Sequence, residues 1–245
     1  MKHIVITGDH GFIGGHLKKA LEAFYNGAKQ EVAITLVDIK DGSDVLDVSI
    51  PKADLIYHLA AQTSVQESTK NPMYDAMTNI AGTIKVLMEN PEARVVITGS
   101  CASKDPKSPY GISKLAQELY AQVIHSNAVV CRLPNVFAED DNGVVGKFLK
   151  EPEITINGSG EQTRDFVHVE DICIALLRAE SWPVGAYELG SGTSHRITDL
   201  ALATGKPVRY GEGLAGEIEH SVCVNTTPDW KPAINVIDFI KNHHA

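Results

Sequence analysis

Short, nearly continuous apolar runs alternate with helix-period segments through the first half of the chain. This alternation constrains the fold more than any other feature. The runs are HIVITG (3–8), AITLVD (33–38), ADLIYHLAA (53–61), ARVVITGS (93–100) and AVVCRLPN (128–135). They are rich in β-branched residues and tend to stop at Gly, Asp or Asn, as strands buried on both faces do. Between them lie IGGHLKKALEAFYNG, NPMYDAMTNIAGTIKVLMENP and SKLAQELYAQVIHS, each with helical spacing of its apolar residues. Hydrophobic strands separated by helices predict a parallel sheet with helices on both faces. Right-handed crossovers then give an α/β fold with a doubly wound, Rossmann-type sheet.

The second half is more broken. EITING (153–158) reads as a short strand, HVEDICIALLRAE (168–180) as a helix and GAYELGSG (185–192) as another strand, and residues 193–245 carry two short helical runs. With no repeat and no low-complexity linker, the expectation is a sheet domain of residues 1–133 plus about 162–192. Residues 134–161 and 193–245 would form a small cap. A chain of 245 residues can bury such a core without metal or disulfide staples.

A net charge of −9 argues against general affinity for nucleic acid or an anionic membrane, but not against a local pocket for a small phosphorylated ligand. Cys101, Cys131, Cys173 and Cys223 show neither C-x-x-C nor metal-ligand spacing and read as reduced, and the ten histidines form no H-E-x-x-H pattern, so no metal is expected. No apolar run reaches the roughly 18 residues of a membrane helix. Without a leader-like start either, a cytoplasmic protein is expected.

ITGDHGFIGGHL follows the first strand and opens the first helix, with glycines at Gly8, Gly11 and Gly14. In this setting the first glycine permits the sharp turn out of the strand, the second lets the backbone approach a pyrophosphate, and the third lets the helix pack on the sheet. The helix N-terminus offers free N–H groups and partial positive charge to phosphates. Asp38 ends the second strand, where a carboxylate can bind both ribose hydroxyls of an adenosine and would repel a 2′-phosphate. The cofactor expected is therefore NAD.

SPYGISK (108–114) places Tyr110 and Lys114 four apart, on one face of a helix. An unperturbed phenol titrates near about 10 and is a poor base at neutral pH. An adjacent ammonium would favour phenolate and bring it into working range. Ser100 closes the fourth strand, at the sheet edge where such folds bind ligands, and its hydroxyl can hold the substrate oxygen that loses a proton.

With these residues in this order, the sequence resembles the extended short-chain dehydrogenase/reductases, specifically the NAD-dependent nucleotide-sugar epimerase/dehydratase group. TGDHGFIGGHL, HLAAQTSVQESTKNP, TNIAGTIKVL, PYGISKLAQE, ITINGSGEQTRDFVHVEDICIAL, YELGSG and GEIEHSVCVNTTPDWKP all resemble family segments, so the similarity spans nearly the whole chain. The resemblance implies a catalytic set of Ser100, Tyr110 and Lys114. It implies that Gly8, Gly11, Phe12, Ile13, Gly14, Asp38, Leu59, Ala60, Ala61 and Asn79 line the cofactor together with Tyr110 and Lys114. Asp44 and Val45 would meet the adenine, with Asp47 and Val48 as the competing alignment. Thr63, Asn135 and Arg164 would face a nucleotide-sugar substrate, a UDP-sugar above others; the planar fork of Arg164 suits a diphosphate, with an ion pair to Asp165 or Glu161 as the structural alternative. A homodimer through helices at 76–89 and 110–125 is also implied, with Ile80, Ile84, Leu87, Leu115, Leu119 and Val123 as its apolar residues.

Departures bear on the reaction. The stretch from Ser100 to Tyr110 is short, Leu214 stands where relatives place an arginine, and Asn225 stands where an Asp is usual. Cys101 and Ala102 follow Ser100, where dehydratases carry an acid–base pair and some decarboxylases a Glu. Cys101 itself reads as small-residue packing, and EDDN (139–142) as a solvated loop. The leading expectation is an epimerase acting at C4 of the sugar through a transient keto sugar. A net dehydrogenase or reductase using NAD(P) is the alternative, and a redox-silent NAD-binding regulator a second one.

Overall fold

The computed structural model describes residues 1–213 and 219–243. Leu214 lies outside the described residues. The chain divides into two compact units, residues 1–132 with 173–187 and residues 133–172 with 188–245.

In the first unit β1 (Lys2–Thr7), α1 (Phe12–Gly27), β2 (Val32–Val37), β3 (Leu55–His58), α2 (Val65–Lys70), α3 (Pro72–Ala76), α4 (Gly82–Glu89), β4 (Arg94–Ser100), α5 (Pro109–Ile124) and β5 (Ala128–Leu133) follow in order. The central sheet has six strands in the order β2-β1-β3-β4-β5-β9, with β9 spanning Gly185–Glu188. β1 pairs in parallel with β2 and β3, and β3 with β4. After β2 the chain returns across β1 to lay down β3, so the carboxyl ends of β1 and β3 flank the point where the strand order reverses. Ligands of open α/β sheets bind at such a crevice. The core joins Val5, Val37, Ile56, Val95, Ile97 and Val130 of the strands to Val86, Leu87 and Ala121 of the helices. Leu87, expected at a dimer surface, is fully buried in it.

Local chemistry sets the helix starts. Ser64 caps α2 by accepting the Glu67 N–H at 3.1 Å, in the S-x-x-E spacing of a capping box. Asn71 caps α3, and Ser108 caps α5 at the Gly111 N–H, each with a proline in the first turn. The single helix read over residues 71–91 is broken by a π turn at Met77–Ala81. Asn79 sits in that turn, and the Thr83 hydroxyl donates to its carbonyl at 2.8 Å, giving the loosened backbone a side-chain partner.

The second unit holds β6 (Asn135–Phe137), α6 (Val144–Lys150), β7 (Ile154–Asn157), β8 (Thr163–His168), β10 (Ser194–Arg196), α8 (Ile197–Ala203), β11 (Val208–Gly211) and α9 (Val236–Asn242). α7 (Val169–Ala179) follows β8 directly. A three-stranded sheet orders β10-β8-β6, and β11 pairs with β7. Phe137, Phe148, Ile154, Ile156, Phe166, Leu200 and Ile240 make its core. Cys131 and Cys173 carry buried free thiols. The reading of four reduced cysteines holds for Cys131 and Cys173, whereas Cys101 and Cys223 are oxidised, a state that sequence spacing alone does not reveal.

Candidate active site

The glycine loop has the backbone its sequence predicts. Gly8 turns out of β1 with φ of +79°, and a Cβ there would lie 2.6 Å from the Ala60 backbone nitrogen. Gly14 sits so close to the loop that a Cβ would reach 2.1 Å from the Gly8 oxygen. Any side chain would clash at both positions, which leaves a bare backbone cradle in front of α1. Gly11 is the N-cap of α1, no side chain caps that end, and no acidic residue occupies its first turn. Uncapped N–H groups at a 16-residue helix make an anion site. The Asp38 carboxylate closes the loop from β2, accepting the His10 N–H at 3.0 Å and the Lys40 N–H at 2.8 Å. Each oxygen keeps a lone pair for a further donor. This cradle and acceptor fit the pyrophosphate and ribose of NAD.

Phe12, Ile13, Leu59, Ala60 and Ala61 are partly exposed around this loop, whereas Val45 is buried in the core and Asp44 caps the Leu46 N–H at 2.9 Å. Asp47 and Val48, the other alignment, follow in the same turn, where their N–H groups both donate to the Asp44 carbonyl. Asn79, expected on the cofactor, is fully buried. Its amide donates to the Gln62 carbonyl, Asp75 Oδ1 and Ser113 Oγ and accepts the Gln62 N–H, so the side chain braces α3 against α5.

Ser100 ends β4, and its hydroxyl lies beside the Tyr110 phenol. The Ser108 cap and Pro109 start α5 so that Tyr110 falls in its first turn. The SPYGISK stretch is therefore both an ordinary helix start and the placement of a phenol on a serine. Burial pushes the phenol's pKa up, the Ser100 hydrogen bond pulls it down, and the charge of Asp75 adds to the rise. The expectation that the Lys114 ammonium lowers it is not met. Lys114 is buried and donates to the Thr98 carbonyl and to Gln117 Oε1, both at 3.0 Å. Burial drives its pKa down to about 8, against an upward pull from Asp75.

Thr63 is exposed in the first unit. In the second unit Asn135 donates to the Asp165 carbonyl at 3.0 Å, and Arg164 donates to the Thr163 carbonyl at 2.8 Å. Glu161 pairs with Arg196.

Sequence reading passed over His58, Asp75, Thr83 and Gln117, all buried around Lys114 and Asn79. Gln117 carried a usable signal, since it lies three residues after Lys114 on the same helix face.

A model of the NAD-dependent epimerase/dehydratase family matches residues 4–190. The chain belongs to that family. A UDP-glucose 4-epimerase of Mycolicibacterium smegmatis is 27% identical, over 96% of this chain and 95% of that protein. A UDP-glucuronic acid decarboxylase of Arabidopsis thaliana is 28% identical over 81% of this chain but only 55% of its own length. Among solved structures, a UDP-N-acetylglucosamine 4-epimerase from Methanobrevibacter ruminantium superimposes with a TM-score of 0.85 at 25% identity, covering 99% of this chain and 96% of that one. This epimerase/dehydratase family member therefore has the extended short-chain dehydrogenase/reductase fold and takes NAD. Among its described residues no helix is long and apolar enough to cross a membrane.

Proposed function

We propose that this family member is a sugar-nucleotide epimerase that inverts C4 through a transient 4-keto sugar. The observation that carries the reading is the hydroxyl pair of Ser100 and Tyr110 at the carboxyl end of β4, with buried Lys114 one turn further along α5. Ser100 holds the C4 oxygen, and Tyr110 removes its proton as the C4 hydride departs and returns the proton when the hydride comes back. NAD, held by the glycine loop and Asp38, would supply the hydride acceptor and donor. Removal and return leave no net redox change. Cys101 and Ala102 offer no carboxyl group after Ser100, so the elimination step of a dehydratase lacks its acid and base. We assign substrate contacts to Thr63, Asn135 and Arg164, with a UDP-sugar as the ligand, and a homodimer to the apolar outer faces of α4 and α5.

The test is NMR of purified protein mixed with UDP-glucose or UDP-N-acetylglucosamine and no added cofactor. Interconversion of C4 epimers supports the reading. Stoichiometric NADH would instead identify a dehydrogenase, and bound NAD without turnover a regulator. Tyr110→Phe should lower turnover by about a thousandfold or more while NAD stays bound.

A further inference from the structure

A line of buried polar side chains runs from the end of β1 to the Lys114 amine. Thr7, His58, Thr83, Gln117 and Lys114 are each at most 3% exposed, so every proton on the line must be assigned within the protein. One assignment leaves every group on the line with a partner. The Thr83 hydroxyl has a single proton, and it goes to the Asn79 carbonyl at 2.8 Å. Its oxygen then accepts at both lone pairs, from His58 Nε2 at 3.0 Å and from Gln117 Nε2 at 2.8 Å. His58 therefore carries its proton on Nε2. Its Nδ1 accepts from the Thr7 hydroxyl at 2.7 Å, which in turn accepts the Ala60 N–H at 3.2 Å. With Nε2 of Gln117 turned to Thr83, the amide oxygen is the end left for Lys114, which it meets at 3.0 Å. A flipped amide would put two N–H groups against the ammonium and take away one of the two donors to the Thr83 oxygen.

We propose that Gln117 is a positioning residue for Lys114, its amide oxygen aimed by Thr83 and His58 so that the buried amine stays an ammonium with one N–H free for cofactor and substrate. This rests on the catalytic reading of Lys114. The alternative acceptor, the Thr98 carbonyl, supplies only one of the two protein hydrogen bonds to the amine. The titratable groups in electrostatic interaction with the amine are Asp75 from α3 and His58 from β3. Asp75 favours the charged form, while burial and Lys114 hold His58 neutral, its pKa pushed down to about 3. A neutral imidazole is what the proton assignment requires.

The experiment is NMR titration of the purified protein labelled at the lysine side chains, with the Lys114 signal identified by its loss in Lys114→Met. Gln117→Leu should move the Lys114 titration down by about one pH unit, a tenfold change in the ammonium–amine ratio. Gln117→Glu, which puts a carboxylate at the same point, should move it up. Thr83→Val, which keeps Gln117 but removes its anchor, should move it down. A merely structural role would destabilise all three variants without opposite shifts. If Gln117→Leu and Gln117→Glu leave the titration where it is, or shift it in the same direction, the proposal is overturned. Turnover of Lys114→Met is read separately. Full activity there would overturn the catalytic reading of Lys114, whatever the titration shows.

Discussion

Helices α1 and α5 are both 16 residues long and belong to the same unit, yet they bury opposite chemistry. α1 turns Leu17, Leu21 and Tyr25 inward and exposes Lys19 and Glu22, as an amphipathic helix should. α5 buries Ser113, Lys114, Gln117 and Glu118, and exposes Ile112, Leu119, Tyr120, Val123 and Ile124. The buried Glu118 is answered by Arg132, whose Nε lies 2.8 Å from its carboxylate. Lys114 has only neutral acceptors. The inside of α1 is there for stability. The inside of α5 carries the polar groups to which the proposed chemistry is assigned, and its outside exposes apolar side chains.

The sharpest break of this comparison would come from core truncation. Leu17 is fully buried, so Leu17→Ala should cost about 3 kcal/mol in denaturant unfolding, with no change in bound NAD per folded protein. A loss below about 1 kcal/mol would mean that α1 is not packed as described.

Lys114→Met should have the opposite sign. The native pKa is pushed down to about 8 from 10.5, so between those values the unfolded chain holds a proton the native protein has released, and stability rises with pH. Below about 8 the full cost of the buried charge is present. At pH 7 the substitution should therefore stabilise by about 2–3 kcal/mol, fading towards zero as pH approaches 10.5. Melting curves of native and variant protein at pH 7 and pH 10 measure this, and a destabilised variant at pH 7 would refute the account of α5.

The same contrast explains what could be read from the sequence. The strands of the first unit are continuous apolar runs with a glycine loop between β1 and α1, and local pattern is enough to find them. Tyr110, Ser100 and the glycines sit in motifs whose spacing carries their geometry. The charge environment of Lys114 was misread, because a four-residue spacing says that two groups share a face but not which acceptors the amine chooses once buried. Thr98 and Gln117 won over the phenol. Asn79 lies buried in a π turn that the helical periodicity of residues 71–91 conceals. In the second unit β6 and β10 are three residues long, too short for period-two alternation to register, and β8 (TRDFVH) has no clean alternation of its own.

The smallest expected effect lies on the outer face of α5. Val123 is 82% exposed and Leu119 51%, and Met73, Met77 and Met88 are exposed on α3, the π turn and α4 at helical spacing. Val123→Lys should change the stability of the isolated protomer by no more than about 0.5 kcal/mol, since it contacts little of its own chain. If a second copy covers this face, the same change places a charge in an apolar interface, and sedimentation at micromolar concentration should shift from dimer to monomer. Native protein that sediments as a monomer would leave the apolar face without a second copy to cover it. It would also remove the homodimer from the proposal while leaving the inverted burial of α5, and the chemistry proposed for it, untouched.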